Sequence, residues 1–167
     1  PEPLTQAGRF AAERNAMAML QHPCIAQVYH ANTTARGVAY IAMERVPGIP
    51  IDAWARTHRP DPRQTVRLLR QVAEALHYAH GRGVIHRDLK PSNVLVHGNL
   101  RAWQVKLIDF GLVSAAPDSL LCAYLDPAAA RLGGTPLFMA PEQADAQAPA
   151  GVLTDTYGLC AVLFALL

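Results

Sequence analysis

Cysteine is scarce and scattered. Cys24, Cys122 and Cys160 are odd in number and form no C-x-x-C pair, which argues against a disulfide framework or a zinc site and for a reducing compartment. Lysine is scarcer still: Lys90 and Lys106 are the only two, and the other basic side chains are arginines. A net charge of +2 over 167 residues is too small for a chain whose main partner is nucleic acid or an anionic membrane surface. The N-terminus has no basic-plus-apolar signal segment. The C-terminal run Val162 to Leu167 falls far short of the roughly 20 apolar residues that cross a bilayer, so a buried helix is expected there and no membrane contact by this segment. With 51% of its residues hydrophobic, the chain can bury one sizeable core, which implies one domain or most of one.

Helical spacing of Phe10, Met17 and Leu20 predicts a helix over Phe10 to Leu20, stopped by His22-Pro23. Ile25 to His30 and Val38 to Met43 read as strands joined by the polar turn Asn32 to Gly37. Pro47-Gly48-Ile49-Pro50 is a breaker cluster and the best boundary between two parts, with a short helix, Ile51 to Thr57, behind it. Asp61-Pro62 reads as an N-cap followed by proline at the first helical position. The apolar set Val66, Leu69, Val72, Ala73, Leu76 and Ala79 then runs on to Gly81. Val94 to Val96 and Val105 to Ile108 are expected as short strands around a turn at His97-Gly98-Asn99. Asp109 to Glu142 reads as a long loop, and Tyr157 to Leu167 as a core helix.

Chemistry concentrates in His86-Arg87-Asp88-Leu89-Lys90-Pro91-Ser92-Asn93, with Asp109-Phe110-Gly111 after it. An acid placed to take a proton, a lysine two residues on, an amide three beyond that and a carboxylate on a second loop suit phosphoryl transfer with a divalent metal. Each residue alone has an ordinary explanation: His86 in a core, Asp88 in a turn, Asn93 or Asp109 as a cap. Their company at this spacing makes the chemical reading the better one.

These stretches resemble the protein kinase family, in the right order and over almost the whole chain. Glu13, in Arg9-Phe10-Ala11-Ala12-Glu13, falls where that family carries the helix C glutamate, and Tyr40 to Val46 looks like the strand entering the hinge. Gly134 to Gln143 is similar to the substrate-docking and A-P-E end of the activation segment, and Thr154 to Tyr157 to the start of helix F. Lys90 and the Gly-Thr-Pro before A-P-E favour a serine/threonine kinase, of the bacterial eukaryotic-like branch.

The resemblance implies an α+β, two-lobed kinase fold truncated at both ends, from helix C to the start of helix F. Residues 1–46 would be part of the small lobe and 47–167 part of the large one. It implies ATP and Mg²⁺ as cofactors, with Asp88 as base, Lys90 on the transferring phosphoryl group, and Asn93 and Asp109 as metal ligands. Glu44 and Val46 would meet adenine through their backbone, with Met43 as gatekeeper and Leu95 under the ring, although ordinary core packing explains those two apolar residues equally well. Thr135 would bond Asp88 and Lys90. Arg87 could pair with a phosphate on Ser114 or Ser119, and Met17, Val28, His86 and Phe110 would stack, anchored by Asp155.

The implied partner is a protein substrate with serine or threonine, with no nucleic acid, and kinase dimerisation is left open. The implied setting is cytoplasmic, alone or within a larger membrane-anchored protein. Departures from the pattern are clear. No glycine-rich loop and no strand lysine precede Glu13, and the arginine that usually pairs with Glu142 is missing. Gly158 and Cys160 stand where the family often has serine and glycine, which puts the helix F packing in question. Truncation accounts for the missing parts, and the expectation is a segment with little activity and marginal stability by itself. A pseudokinase scaffold and a small-molecule phosphotransferase of the same broad fold stay open as alternatives.

Overall fold

The computed structural model describes residues 19–34, 39–99, 102–110, 136–144 and 150–167. Two antiparallel strands, β1 (Val28–Thr33) and β2 (Ala39–Met43), form one small sheet. A second sheet has the order β3 (Ile49–Pro50), β4 (Val94–Asn99), β5 (Ala102–Leu107). Among the described residues three α-helices accompany them: α1 (Ile51–His58), α2 (Pro62–His80) and α3 (Val152–Leu166).

The strongest local signal, at Asp61-Pro62, holds. The Asp61 carboxylate accepts from the Gln64 N–H at 2.7 Å and the Gln64 side chain accepts from the Asp61 N–H at 3.2 Å. This reciprocal capping box satisfies two of the donors a helix start leaves open, and a cap of this kind contributes about 1 kcal/mol. The buried stripe of α2 is Thr65, Leu68, Leu69, Val72, Ala75, Leu76 and Ala79. Val66, expected inside, is 54% exposed: Leu68 and Leu69 set the phase of the stripe, and single apolar residues are common outside it.

The core lies between α2, α3 and the second sheet, where Val72, Val94, Val96, Val105, Leu107 and Val162 are buried together. Each such side chain contributes about 1.5–3 kcal/mol relative to exposure. Gln71 on α2 satisfies the open edge of β5: its carbonyl accepts from the Val105 N–H at 3.1 Å and its amide donates to the Trp103 carbonyl at 3.3 Å. On the other side of α1, Trp54, His58 and Trp103 form an aromatic cluster, with Trp54 and Trp103 edge to face at 5.6 Å and His58 stacked on Trp54 at 5.4 Å.

Several expected boundaries move. The first strand begins at Val28 rather than Ile25, because Ile25 forms an isolated parallel bridge with Leu107 and Ala26 N–H donates to the Leu107 carbonyl at 2.8 Å. The hairpin of β4 and β5 does not turn at His97–Asn99. Its ladder continues through His97 with Gln104 and Gly98 with Trp103 to Asn99 with Ala102, and Ile108 falls outside it. Polar residues on the outer face of a strand carry no apolar signal, so the sequence pattern stops short of the real ladder.

Of the helix expected over Phe10–Leu20, residues up to 18 lie outside the described set, and Met19 and Leu20 are not helical. Of the long loop expected over Asp109 to Glu142, the described residues are Asp109, Phe110 and 136–142, the last forming 3-10 turns at Pro136–Phe138 and Pro141–Ala144. The last helix starts earlier than expected and buries one stripe, Thr154, Asp155, Gly158 and Val162, while Leu153 and Phe164 are exposed. Its expectation as a core helix is therefore corrected to a one-faced helix.

Gly98 has φ +113°, and a Cβ there would sit 2.3 Å from the Ala102 carbonyl oxygen. A Gly98→Ala substitution should lower the unfolding free energy by on the order of 1–3 kcal/mol through backbone strain. The urea midpoint measures it, and an unchanged midpoint would show that the hairpin relaxes without cost.

Candidate active site

The loop after α2 is shaped by one carboxylate. Asp155, 1% exposed, accepts at one oxygen from the Arg87 N–H at 2.7 Å and at the other from the His86 N–H at 2.8 Å. His80 Nε2 also lies 2.6 Å from that second oxygen and donates to it. These contacts hold Arg87 at φ +66°, a conformation that costs a non-glycine residue on the order of 1–3 kcal/mol. The α3 backbone comes close beneath this loop: a Cβ on Gly158 would meet Leu89 Cβ at 3.0 Å and the Leu89 carbonyl at 3.1 Å. Glycine is thus what this contact uses, which answers the question raised by its place in the sequence, and Cys160 is exposed.

Asp88, Lys90 and Asn93 converge. Lys90 Nζ donates to Asp88 Oδ2 at 2.7 Å. Asn93 Nδ2 donates to the same oxygen at 3.2 Å and to the Asp88 carbonyl at 2.8 Å. These acceptors set the amide, so Asn93 Oδ1 is turned from Asp88 Oδ2 and meets only the Ser92 hydroxyl, at 3.5 Å, among the described residues. Asp88 Oδ1 has no partner among the described residues. The Asn93 carbonyl accepts from the Ile108 N–H at 3.0 Å, which places Asp109 beside the same loop, at φ +59°.

His86 clamps Ile108 from the other side. Its Nε2 lies 3.1 Å from the Ile108 carbonyl and must donate to it, while Nδ1 accepts from the Asp88 N–H at 3.3 Å. Both ring nitrogens are satisfied by the neutral ring, which also packs on Phe110 at 4.6 Å between centroids. Complete burial holds the His86 pKa below its ordinary value, against the opposing charges of Asp155 and Asp88. Burial, helped by the negative charge of Asp88, pushes the Asp109 carboxyl above its ordinary value. Met43, Val28, Asp109 and Phe110 line one narrow cavity.

Glu44 follows β2, and its backbone N–H is already donated to the Gln27 carbonyl at 2.8 Å, so only its carbonyl could meet adenine. Its side chain forms an ion pair with Lys106 on β5 and accepts from the Gln27 N–H at 3.2 Å. The Lys106 contact holds the Glu44 carboxyl below the usual range. Leu95 is half-buried and pairs with Lys106, on the face opposite the buried Val94 and Val96, so it is not a central core residue. Val46 is half-buried in the extended segment leading to Gly48.

Glu142 accepts from Thr154 Oγ1 at 2.7 Å, and Thr154 in turn accepts from the Gly151 N–H at 3.0 Å. That hydrogen bond holds the Glu142 carboxyl low. The neighbouring Gln143 donates through Nε2 to the Arg87 carbonyl at 2.6 Å. Glu13, Met17, Ser114, Ser119 and Thr135 lie outside the described residues. The site thus brings together Asp88, Lys90, Asn93 and Asp109, with Met43 in the adjoining cavity. Sequence reasoning missed His80, Lys106, Gln143 and the Thr154–Glu142 contact. Glu142, Gln143 and Thr154 lay inside quoted motifs, and none carried a local signal for its partner.

Residues 3–167 match the protein kinase domain family. The chain is 34% identical over 163 residues to the serine/threonine-protein kinase PknB of Mycobacterium leprae, covering 95% of this chain and 25% of that protein. It is 36% identical over 160 residues to the serine/threonine-protein kinase Pkn1 of Myxococcus xanthus, covering 95% of this chain and 22% of that one. The crystal structure of the Mycobacterium tuberculosis PknI kinase domain superposes with a TM-score of 0.71 at 29% identity, over 95% of this chain and 55% of that chain. The chain therefore spans about a quarter of the length of the curated relatives it matches and just over half of the solved domain.

The buried imidazole has a consequence for pH. Its pKa is depressed only in the folded state, so below the ordinary value of 6.5 the unfolded chain binds more protons and stability falls as pH drops. Urea unfolding should show a lower midpoint at about pH 5 than at about pH 7.5. A His86→Gln variant, which keeps a donor and an acceptor without titrating, should have a flatter pH slope; an unaltered slope would rule His86 out as its source.

Proposed function

The chain belongs to the protein kinase family, in the branch of the bacterial serine/threonine-protein kinases, and from that premise we propose that it is catalytic-domain sequence that transfers the γ-phosphoryl group of ATP to serine or threonine of a protein. The observation that carries this is the Asp88 carboxylate, fixed at Oδ2 by Lys90 and Asn93 and without a partner at Oδ1 among the described residues. An acid held in this way can orient a hydroxyl and take its proton, a contribution of about 10²- to 10⁴-fold. Lys90, bonded to Asp88 Oδ2, would set its charge beside the transferring phosphoryl group and offset it.

The donor set fits Mg²⁺. Among the described residues no three His, Cys, Asp or Glu side chains gather to hold an ion, but Mg²⁺ is usually bound by one or two protein oxygens plus phosphates and water. Asn93 offers a directed Oδ1, and Asp109 is a carboxyl whose ionisation is disfavoured by burial and would be relieved by a cation. Bound there, the ion would neutralise phosphate charge. The protein's part is to hold both oxygens at fixed orientation, through Ile108 clamped between His86 and Asn93.

The Glu44 carbonyl and the Val46 backbone would take the adenine edge, with Met43 and Leu95 beside the ring. Glu13 and Thr135 keep the roles their motif positions imply. Residues 1–46 and 47–167 would be parts of the small and large lobes. Among the described residues no helix is long and apolar enough to cross a membrane; the proposed setting is cytoplasmic, and the proposed partner a protein bearing serine or threonine rather than nucleic acid.

The complete protein should label a mixture of serine/threonine peptides from radioactive ATP and Mg²⁺. Asp88→Asn should lower kcat by about 10²- to 10⁴-fold. Preferential labelling of small alcohols such as aminoglycosides or choline would overturn the protein-kinase assignment, and undiminished activity of the variant would overturn the role of Asp88.

A further inference from the structure

Arg87 is left-handed and immediately precedes the proposed base, so the orientation of its peptide group decides where Asp88 points. One face of this strained residue is held by α3: its N–H donates to Asp155 Oδ1 at 2.7 Å. The other face is held from a different element. Gln143, in the Pro141–Ala144 turn, donates from Nε2 to the Arg87 carbonyl at 2.6 Å, and its Oε1 accepts from the Ala140 N–H at 3.0 Å. The Gln143 N–H also donates to the Ala140 carbonyl at 2.9 Å. Ala140 is fully buried, so the end of the side chain is fixed at both atoms.

The carbonyl that Gln143 holds belongs to the peptide bond whose N–H is that of Asp88. That N–H donates to His86 Nδ1 at 3.3 Å. The plane of this peptide is therefore tied at its oxygen by Gln143 and at its nitrogen by His86, and a peptide is rigid between those two atoms. We propose that Gln143 is a positioning residue for the phosphoryl-transfer step, holding the Arg87–Asp88 peptide so that the Asp88 carboxylate faces the substrate hydroxyl. The inference rests on the kinase reading above. It uses both atoms of the amide: an acceptor toward Ala140 and a donor toward Arg87. A residue that merely shaped the substrate platform would need only the first.

The test uses the complete protein with two variants, assayed with ATP, Mg²⁺ and a serine/threonine peptide. Gln143→Glu keeps the shape and the acceptor but sets a carboxylate oxygen against the Arg87 carbonyl; Gln143→Met removes both partners. Misplacing a reacting group by a fraction of its geometry costs up to about 10²-fold in rate, so kcat should fall about 10- to 100-fold in both, with KM for ATP and peptide unchanged. The deficit of Gln143→Glu should narrow toward lower pH, where its protonated carboxyl can donate to the Arg87 carbonyl, while that of Gln143→Met should not. Unchanged kcat would overturn the proposal. So would a raised peptide KM at unchanged kcat, which would confine Gln143 to the platform, or a loss of activity that simply tracks the unfolded fraction in thermal melts. An unsubstituted protein that transfers no phosphate would instead count against the kinase reading, and this inference would fall with it.

Discussion

The carboxylate of Asp155 is the point on which the site depends. Removing an ion from water costs several kcal/mol, which is recovered only when its lone pairs are met by well-placed donors. Among the described residues the three groups that meet the Asp155 carboxylate are donors, two from the consecutive peptide groups of residues 86–87 and one from the last turn of α2. The anion and the loop therefore require one another: the loop's strained peptide needs an acceptor, and the buried acceptor needs the loop. Because α2, α3 and residues 86–87 each contribute, the loop geometry is assembled together with the packing of two helices rather than added to a finished core.

From that anchor Asp88, Asn93 and Asp109 follow by short links. His86 and Asn93 hold the carbonyl and the N–H of Ile108, and so carry position from one loop to the start of the next. Asn93 in turn holds both the backbone and the side chain of Asp88. Members of such a network share atoms, and the effects of removing them are not expected to add. The arrangement also separates charge from structure. The neutral ring of His86 fills the core, while the charge of Asp88 is met by Lys90 at Oδ2.

Much of this was legible in the sequence, and for an identifiable reason. Asp88, Lys90 and Asn93 sit within six residues, and their spacing is that of a single loop that brings the three side chains together. The cap at Asp61 was legible because a helix start is a local event. What could not be read were contacts between distant residues of ordinary type: Gln143 with Arg87, Thr154 with Glu142, and Lys106 with Glu44. Each is a common polar residue whose partner is chosen by tertiary packing. The Lys106–Glu44 pair illustrates this well, since it ties β5 to the segment after β2 across 62 positions. Glu142, on the 3-10 turn Pro141–Ala144, accepts from a hydroxyl on α3. Strand limits slipped for a related reason, because hydrogen-bond ladders extend through polar residues that leave no hydrophobic trace.

The aromatic cluster of α1 and β5 gives the molecule an intrinsic reporter. The chain has two tryptophans, and both belong to this single contact, Trp54 being 2% exposed and set edge to face on Trp103. Tryptophan emission therefore follows the junction of α1 with β5 and is silent about the hairpin of β1 and β2. Circular dichroism reads every element at once. A denaturation followed by both signals would thus separate loosening of the β1–β2 hairpin from melting of the body that carries residues 86–93.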